Sequence, residues 1–239
     1  MKQPPKSYRY NLDSFLLLRF AHFKSHENIC DLGAGVGVMG LLALERFGLS
    51  SVTAVEIQEE LALYARQNAQ ALHLQSKFHL YLQSWQDFAK DHVLKKAPSF
   101  DAVISNPPYG RLGEGRLPED PVRQLARYEV AGNMQNLITS AKSILKKTGR
   151  LLLLYPILRL EELLDQLHLK GFKASRLAMI HPYENRPATH VMVEGILAMN
   201  RELKVEPPVI VYQDQDHYRP EIEAWVGPKK KLAFEDRAY

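Results

Sequence analysis

The chain has 239 residues, of which 46% are hydrophobic and 24% charged, with a formal net charge of +4. That is the composition of a globular protein that buries a core. No apolar run approaches the roughly 18–20 residues of a membrane span, and the single cysteine, Cys30, excludes both an internal disulfide and a thiolate zinc cluster. No repeat of 20–50 residues and no low-complexity tract is present, which excludes a solenoid. The opening MKQPPKSYRYNLDS is polar and broken by proline. It lacks the apolar centre of a signal peptide, so the cytoplasm is the expected compartment. The positive charge suits a polyanionic partner, but many proteins without one are equally basic.

Short apolar runs alternate with amphipathic stretches along the chain. Residues 28–32, 51–56, 77–82, 100–105 and 150–155 read as buried strands. Residues 38–47, 58–72, 133–147 and 158–170 have helical spacing, with Leu44, Leu61, Ile138 and Leu163 expected to face inward. The alternation predicts an α/β fold, a mostly parallel sheet with helices on both faces. Gly149 stands where a helix stop belongs, just before the strand at Arg150. After Gly171, residues 172–180 and 190–199 follow each other with only HPYENRPAT between them. They predict a strand pair, one member antiparallel, closing one edge of the sheet. From Leu203 onward one extended segment and a short helix are expected, and Cys30 is expected in the core.

Asp31-Leu-Gly33-Ala-Gly35-Val-Gly37 follows the first strand directly. Glycines there allow a tight turn and close approach of a ligand, while the next helix offers free N–H groups. Glu56 ends the second strand about 20 residues later, where a carboxylate can take both hydroxyls of a ribose. A plain strand-to-helix turn with an exposed glutamate is the bland alternative. Gly35, Gly37 and Gly40 also match the dinucleotide pattern G-x-G-x-x-G. Asp31, placed to reach the ammonium of a bound amino acid, favours S-adenosylmethionine over a nicotinamide or flavin.

Ser105-Asn106-Pro107-Pro108-Tyr109 ends the fourth strand, where ligands of open α/β sheets sit. The exocyclic amine of adenine is a poor nucleophile, because its lone pair is delocalised into the ring. The Asn106 side-chain oxygen and the Pro107 carbonyl can both accept hydrogen bonds from such an amine, favouring a pyramidal nitrogen. The prolines stiffen the loop. Tyr109 can stack on the base for about 1–3 kcal/mol. The competing reading is a Pro-Pro turn with tyrosine as core filler. The nine histidines are scattered without zinc-like spacing, so no metal site is expected.

On these residues the chain resembles the methyltransferases with an Asn-Pro-Pro-Tyr motif that modify N6 of adenine or N5 of glutamine. More narrowly it is similar to the bacterial valine-tRNA adenine-N6 methyltransferases, which act on the adenine 3′ to the anticodon. The likeness runs from about Tyr8 to Gly227 through YRYNLDSFLLLRF, DLGAGVGVMGLLAL, AVEIQ, FDAVISNPPYG, RYEVAGNMQNLI and EPPVIVY. It implies a Rossmann-like sheet of seven strands, mostly parallel with one antiparallel edge strand. It implies cofactor contacts from Asp31, Gly33, Gly35, Gly37, Glu56 and Asn106, and an amine held by Asn106, Pro107 and Tyr109. Asp13 falls in the N-terminal segment that helps close the cofactor pocket in the family. Where the class carries an aspartate on the cofactor's adenine amino group, LYLQSWQDF places Ser84, a hydroxyl without charge and with shorter reach.

The expected organisation is an N-terminal segment at 1–27, a methyltransferase domain at 28–200 and a C-terminal extension with a basic tail at 201–239. Transfer belongs, on this reading, to N6 of an adenine in a tRNA anticodon loop, where an unpaired base is extruded cheaply. Protein glutamine-N5, ribosomal RNA or DNA adenine-N6 methylation, and non-catalytic RNA binding are the alternatives. Glutamine methyltransferases usually carry an N-terminal helical domain, for which the roughly 30 residues ahead of the glycine loop leave no room. Lys2, Lys6, Arg9, the arginines between Arg111 and Arg127, and Lys229 to Lys231 are candidates for phosphate contacts. Monomer and dimer both stay open.

Overall fold

The computed structural model describes residues 1–4, 12–107, 134–197, 202–215 and 217–226. Helix α1 (Leu12–Ala21) precedes the first strand. Alternation then runs β1 (Asn28–Leu32), α2 (Val38–Phe47), β2 (Ser51–Glu56), α3 (Glu59–Ala71), β3 (Phe78–Leu82), α4 (Trp85–Leu94) and β4 (Phe100–Ser105). It continues through α5 (Met134–Ile144), β5 (Leu145–Pro156), a 3-10 turn at Ile157–Arg159, α6 (Leu160–Leu169), β6 (Phe172–His181) and β7 (His190–Leu197). The short strands β8 (Lys204–Val205) and β9 (Val209–Ile210) and helix α7 (Pro220–Val226) complete it.

The strand order is β3-β2-β1-β4-β5-β7-β6-β8, with β9 also paired to β6. The first five of these are parallel, and β7 is antiparallel to both β5 and β6. The expected strand pair therefore closes that edge. Among the described residues the sheet has nine strands rather than seven, because β8 and β9 each add a two-residue ladder to β6. They occupy backbone groups that an open edge would expose.

Alternate residues of each strand feed opposite faces. Ile29, Ala102, Ile104, Leu152 and Leu154 pack with α1, α2 and α7, through Leu17, Leu41 and Ile222. Cys30, Leu32, Val103, Leu151 and Leu153 pack with α4, α5 and α6, through Phe88, Ile138 and Leu163. Leu44, Leu61, Ile138 and Leu163 are all buried, as their spacing predicts. No helix among the described residues is long and apolar enough to cross a membrane.

Two helices, α1 and α4, fall outside the expected set. In α1, Leu16, Leu17 and Leu18 are consecutive and all buried, so the helix shows no single apolar stripe. Helix α4 starts from the serine cap Ser84, a signal the spacing of apolar residues does not include. The structure also corrects the reading of Gly149. It lies within β5, not at a helix end, beside a register shift between Phe100 and Ala102 of β4. A Cβ there would come within 2.9 Å of the Lys146 carbonyl oxygen, so the doubled-back chain needs glycine.

Candidate active site

Strands β1 and β4 are neighbours whose connections leave toward opposite halves of the sheet, which makes their carboxyl ends the switch point of the fold. The Ser105 hydroxyl, fully buried, donates to the Leu32 carbonyl at 2.6 Å and ties the two ends together. Asn106, half-buried, and Pro107, buried, follow immediately on one side, and the glycine loop follows on the other.

The loop is built on local backbone demands. Gly33, Gly35 and Gly37 have φ of 80°, 56° and 83°, a left-handed region costly for any residue with a Cβ. The N–H groups of Gly33 and Ala34 donate to the Val55 carbonyl, lacing the loop to the end of β2. Gly40 has a different duty. A Cβ there would meet Val52 at 2.8 Å and Phe78 at 2.9 Å, so its absence lets α2 lie against β2 and β3.

Asp31 is fully buried. Its Oδ2 accepts from the Gly40 N–H at 3.2 Å, while Oδ1 has no hydrogen-bond partner among the described residues. Burial raises its pKa to about 7, with Glu56 adding a smaller push upward and the Gly40 N–H opposing. Glu56 is also buried, and both its oxygens are engaged by backbone. Oε2 accepts from Gly35 N–H at 2.7 Å and Oε1 from Gln58 N–H at 2.8 Å. Burial raises its pKa too, against the pull of these N–H groups. A carboxylate offers about four acceptor positions, so room for a further donor remains.

Two clefts meet at Gly33. One is lined by Val55, Glu56, Ile57, Gln83, Ser84 and Trp85, among others. The second is lined by Ser14, Ala34, Val36, Val38, Met39 and Asn106.

Ser84 lines the first cleft but is also the N-cap of α4, accepting from Asp87 N–H at 3.1 Å and donating to Asp87 Oδ2 at 2.7 Å. Asp87, one turn on, is thereby drawn up to Ser84. Asp13 sits half-buried in the first turn of α1, next to the buried Ser14 that lines the second cleft. Sequence reasoning missed Ser14 and Trp85. The signal for Ser14 was a small polar residue directly ahead of the apolar run Phe15 to Leu18. Trp85 is buried against Gly33, and its indole N–H has no partner among the described residues. Pro108, Tyr109, the arginines from Arg111 to Arg127, Lys6, Arg9 and Lys229 to Lys231 lie outside the described residues.

A family model described as a methyltransferase domain matches residues 23–219. A tRNA1(Val) (adenine(37)-N6)-methyltransferase from Pedobacter heparinus is 30% identical over 185 residues, 77% of this chain and 76% of that protein. One of the same name from Proteus mirabilis is 24% identical, covering 90% and 84% of the two chains. Among solved structures, a predicted O-methyltransferase from Agrobacterium tumefaciens superposes with a TM-score of 0.69 at 23% identity, over 89% of this chain and 94% of that one. With the glycine loop, the acidic ends of β1 and β2 and the Asn-Pro end of β4 at one switch point, the chain belongs to the methyltransferase domain family, among the relatives of the tRNA1(Val) (adenine(37)-N6)-methyltransferases.

Proposed function

We infer that this protein transfers a methyl group from S-adenosylmethionine to N6 of an adenine in the anticodon loop of a tRNA. The observation that carries the reading is the Ser105–Leu32 hydrogen bond, which holds Asn106-Pro107 against the end of β1 that bears Asp31 and the glycine loop. The names of the curated relatives support the same substrate.

The residues present fit the cofactor. Asp31 Oδ1 is a buried acceptor still in want of a donor, suited to an ammonium group. Glu56 keeps acceptor capacity for ribose hydroxyls, and the glycines leave the cradle free of side chains. Ser84 and Trp85 line the cleft beside Glu56, where an adenine ring would follow the ribose. Asp13 and Ser14 lie toward the second cleft. When bound, S-adenosylmethionine supplies a methyl group on a positively charged sulfur.

The chain's part in transfer is orientation. Asn106 Oδ1 and the Pro107 carbonyl accept from the two hydrogens of the amine, favour a pyramidal nitrogen and so localise on it the lone pair otherwise shared with the ring. As nitrogen takes the methyl group, the methyl–sulfur bond would break with its electron pair left on sulfur, and positive charge would pass to nitrogen, where the same two oxygens stabilise it. A neutral carboxamide is too weak a base to keep a proton, so the amine's surplus proton passes to water. Tyr109 is assigned to stacking on the extruded base.

The test is incubation with labelled S-adenosylmethionine and unmodified bulk tRNA or protein, followed by mass spectrometry of the labelled product. N6-methyladenosine from tRNA is expected. Label on protein glutamine would replace this reading, and saturable NADH binding without S-adenosylmethionine binding would remove the cofactor assignment.

A further inference from the structure

The loop joining β6 to β7 opens on the same side of the sheet as Asn106, because β6 is parallel to β4 and β5. Strands β5 and β7 lie between β4 and β6. At about 4.8 Å per strand, the loop stands roughly 14 Å from the end of β4, about four stacked nucleotide steps of ~3.4 Å.

This loop is held rigidly. Arg186 N–H donates to the Tyr183 carbonyl at 3.1 Å, and the Arg186 carbonyl lies 2.8 Å from His181 Nδ1. Ile157 N–H, at the end of β5, donates to the Thr189 carbonyl. Tyr212 N–H donates to the Pro182 carbonyl, bringing the C-terminal extension alongside.

On this frame sit three tyrosines in one stack. Tyr218 is buried and stacks on Tyr212, with ring centres 5.3 Å apart, and Tyr212 packs on Tyr183 at 5.4 Å. Tyr183 ends the stack half-exposed, with no second ring over it among the described residues. Arg186 is exposed, and its guanidinium has no carboxylate partner among the described residues. Between this loop and Asn106, at the end of β5, Leu158 is 92% exposed on its 3-10 turn. A rigid aromatic ring, an exposed guanidinium and an exposed leucine along one rim make a surface for a single-stranded polyanion with flat bases.

We propose that Tyr183 and Arg186 form a second RNA-binding ledge, Tyr183 stacking on a base a few nucleotides from the target adenine and Arg186 pairing with a phosphate. Leu158 covers an intervening base. The ledge rests on the reading of the substrate as tRNA, and it accounts for selection beyond the single extruded base.

The experiment uses the full chain and measures tRNA affinity against salt, with cofactor affinity and circular dichroism as controls. Tyr183→Ala should weaken tRNA binding roughly five-fold or more, while Tyr183→Phe keeps it, since stacking needs the ring and not the hydroxyl. Arg186→Gln should lower the slope of log affinity against log salt by about 0.7–0.9, one phosphate contact. Cofactor affinity should not move in any of the three. If the wild type methylates tRNA but both Tyr183→Ala and Arg186→Gln bind it as the wild type does, the ledge is overturned and the functional reading stands. A wild type that binds and methylates protein instead of tRNA overturns both. Should Tyr183→Ala fail to fold, the exposed Arg186→Gln alone decides through its salt slope.

Discussion

Ser105 donates its buried hydroxyl to the carbonyl of Leu32 at 2.6 Å, across 73 residues of chain. The bond joins the last residue of β1 to the residue before Asn106, so the acceptors for the amine and the cradle for the cofactor share one anchor. Removing it leaves a buried carbonyl short of a donor. Ser105→Ala should cost about 1–3 kcal/mol of stability in a urea titration. It should also lower turnover by more than it weakens cofactor binding, because the reacting groups lose their register. Equal losses in the two readouts would argue for a purely structural bond.

Asp31 gives the site a pH dependence whose sign can be worked out. Its pKa rises from 3.8 to about 7 on folding. A carboxyl raised in this way contributes stability at low pH that is lost as pH climbs through about 7. In the cofactor-free protein, Asp31→Asn should therefore melt above the wild type at pH 8. The gap should narrow toward pH 5, by roughly 2–4 °C for each kcal/mol. Cofactor binding has the opposite trend, since the ammonium needs the ionised form. Affinity should be about tenfold weaker at pH 6 than on its alkaline plateau, and Asp31→Asn should flatten the profile. Calorimetry between pH 5.5 and 8.5 checks both signs.

Glu56 holds the glycine loop and the start of α3 at once, through Gly35 and Gln58. Glu56→Ala frees both N–H groups and removes the ribose acceptor, so cofactor affinity should drop at least tenfold while circular dichroism keeps the native spectrum. Glu56→Gln should rescue little. One of its two positions becomes an NH₂ that faces a backbone N–H, donor against donor.

Asn106→Ala should cut kcat by about 10²–10³ and leave cofactor affinity nearly unchanged, because the contact matters most once charge grows on nitrogen. Single-turnover methylation beside equilibrium cofactor binding separates the two. A near-normal single-turnover rate would take the amine away from Asn106.

Gly40→Ala tests the packing beneath the loop. Alanine is the better helix former by up to about 1 kcal/mol, but its Cβ would press on Val52 and Phe78 inside 3 Å. Overpacking of this kind costs about 1–3 kcal/mol, so the variant should melt lower in spite of its propensity. A higher melting temperature would show that α2 can move away from the sheet without loss.

Much of this protein is legible without its structure, and for a local reason. Val52 to Glu56 or Phe100 to Ser105 form strands because each run is apolar and bounded by polar or glycine residues. Gly33, Gly35 and Gly37 stand together because the turn between β1 and α2 needs positive φ there. Those demands act on a residue and its chain neighbours, so they leave a mark in the order of amino acids. The placement of Leu44, Leu61, Ile138 and Leu163 follows from spacing alone. What tertiary structure decided is which polar atoms are spent and which are left. Sequence puts carboxylates at 31 and 56. Only the approach of Gly35 and Gln58 gives each oxygen of Glu56 a backbone N–H, and only the single bond from Gly40 leaves Oδ1 of Asp31 open. Ser14 reaches the cleft because α1 packs across the sheet, and Gly149 falls inside a strand because β5 begins before it. Tyr183, Tyr212 and Tyr218 become one stack through a backbone pairing of Tyr212 with Pro182. Each of these depends on contacts between residues distant in sequence, whose energies are settled by the whole packed arrangement and not by any window of the chain.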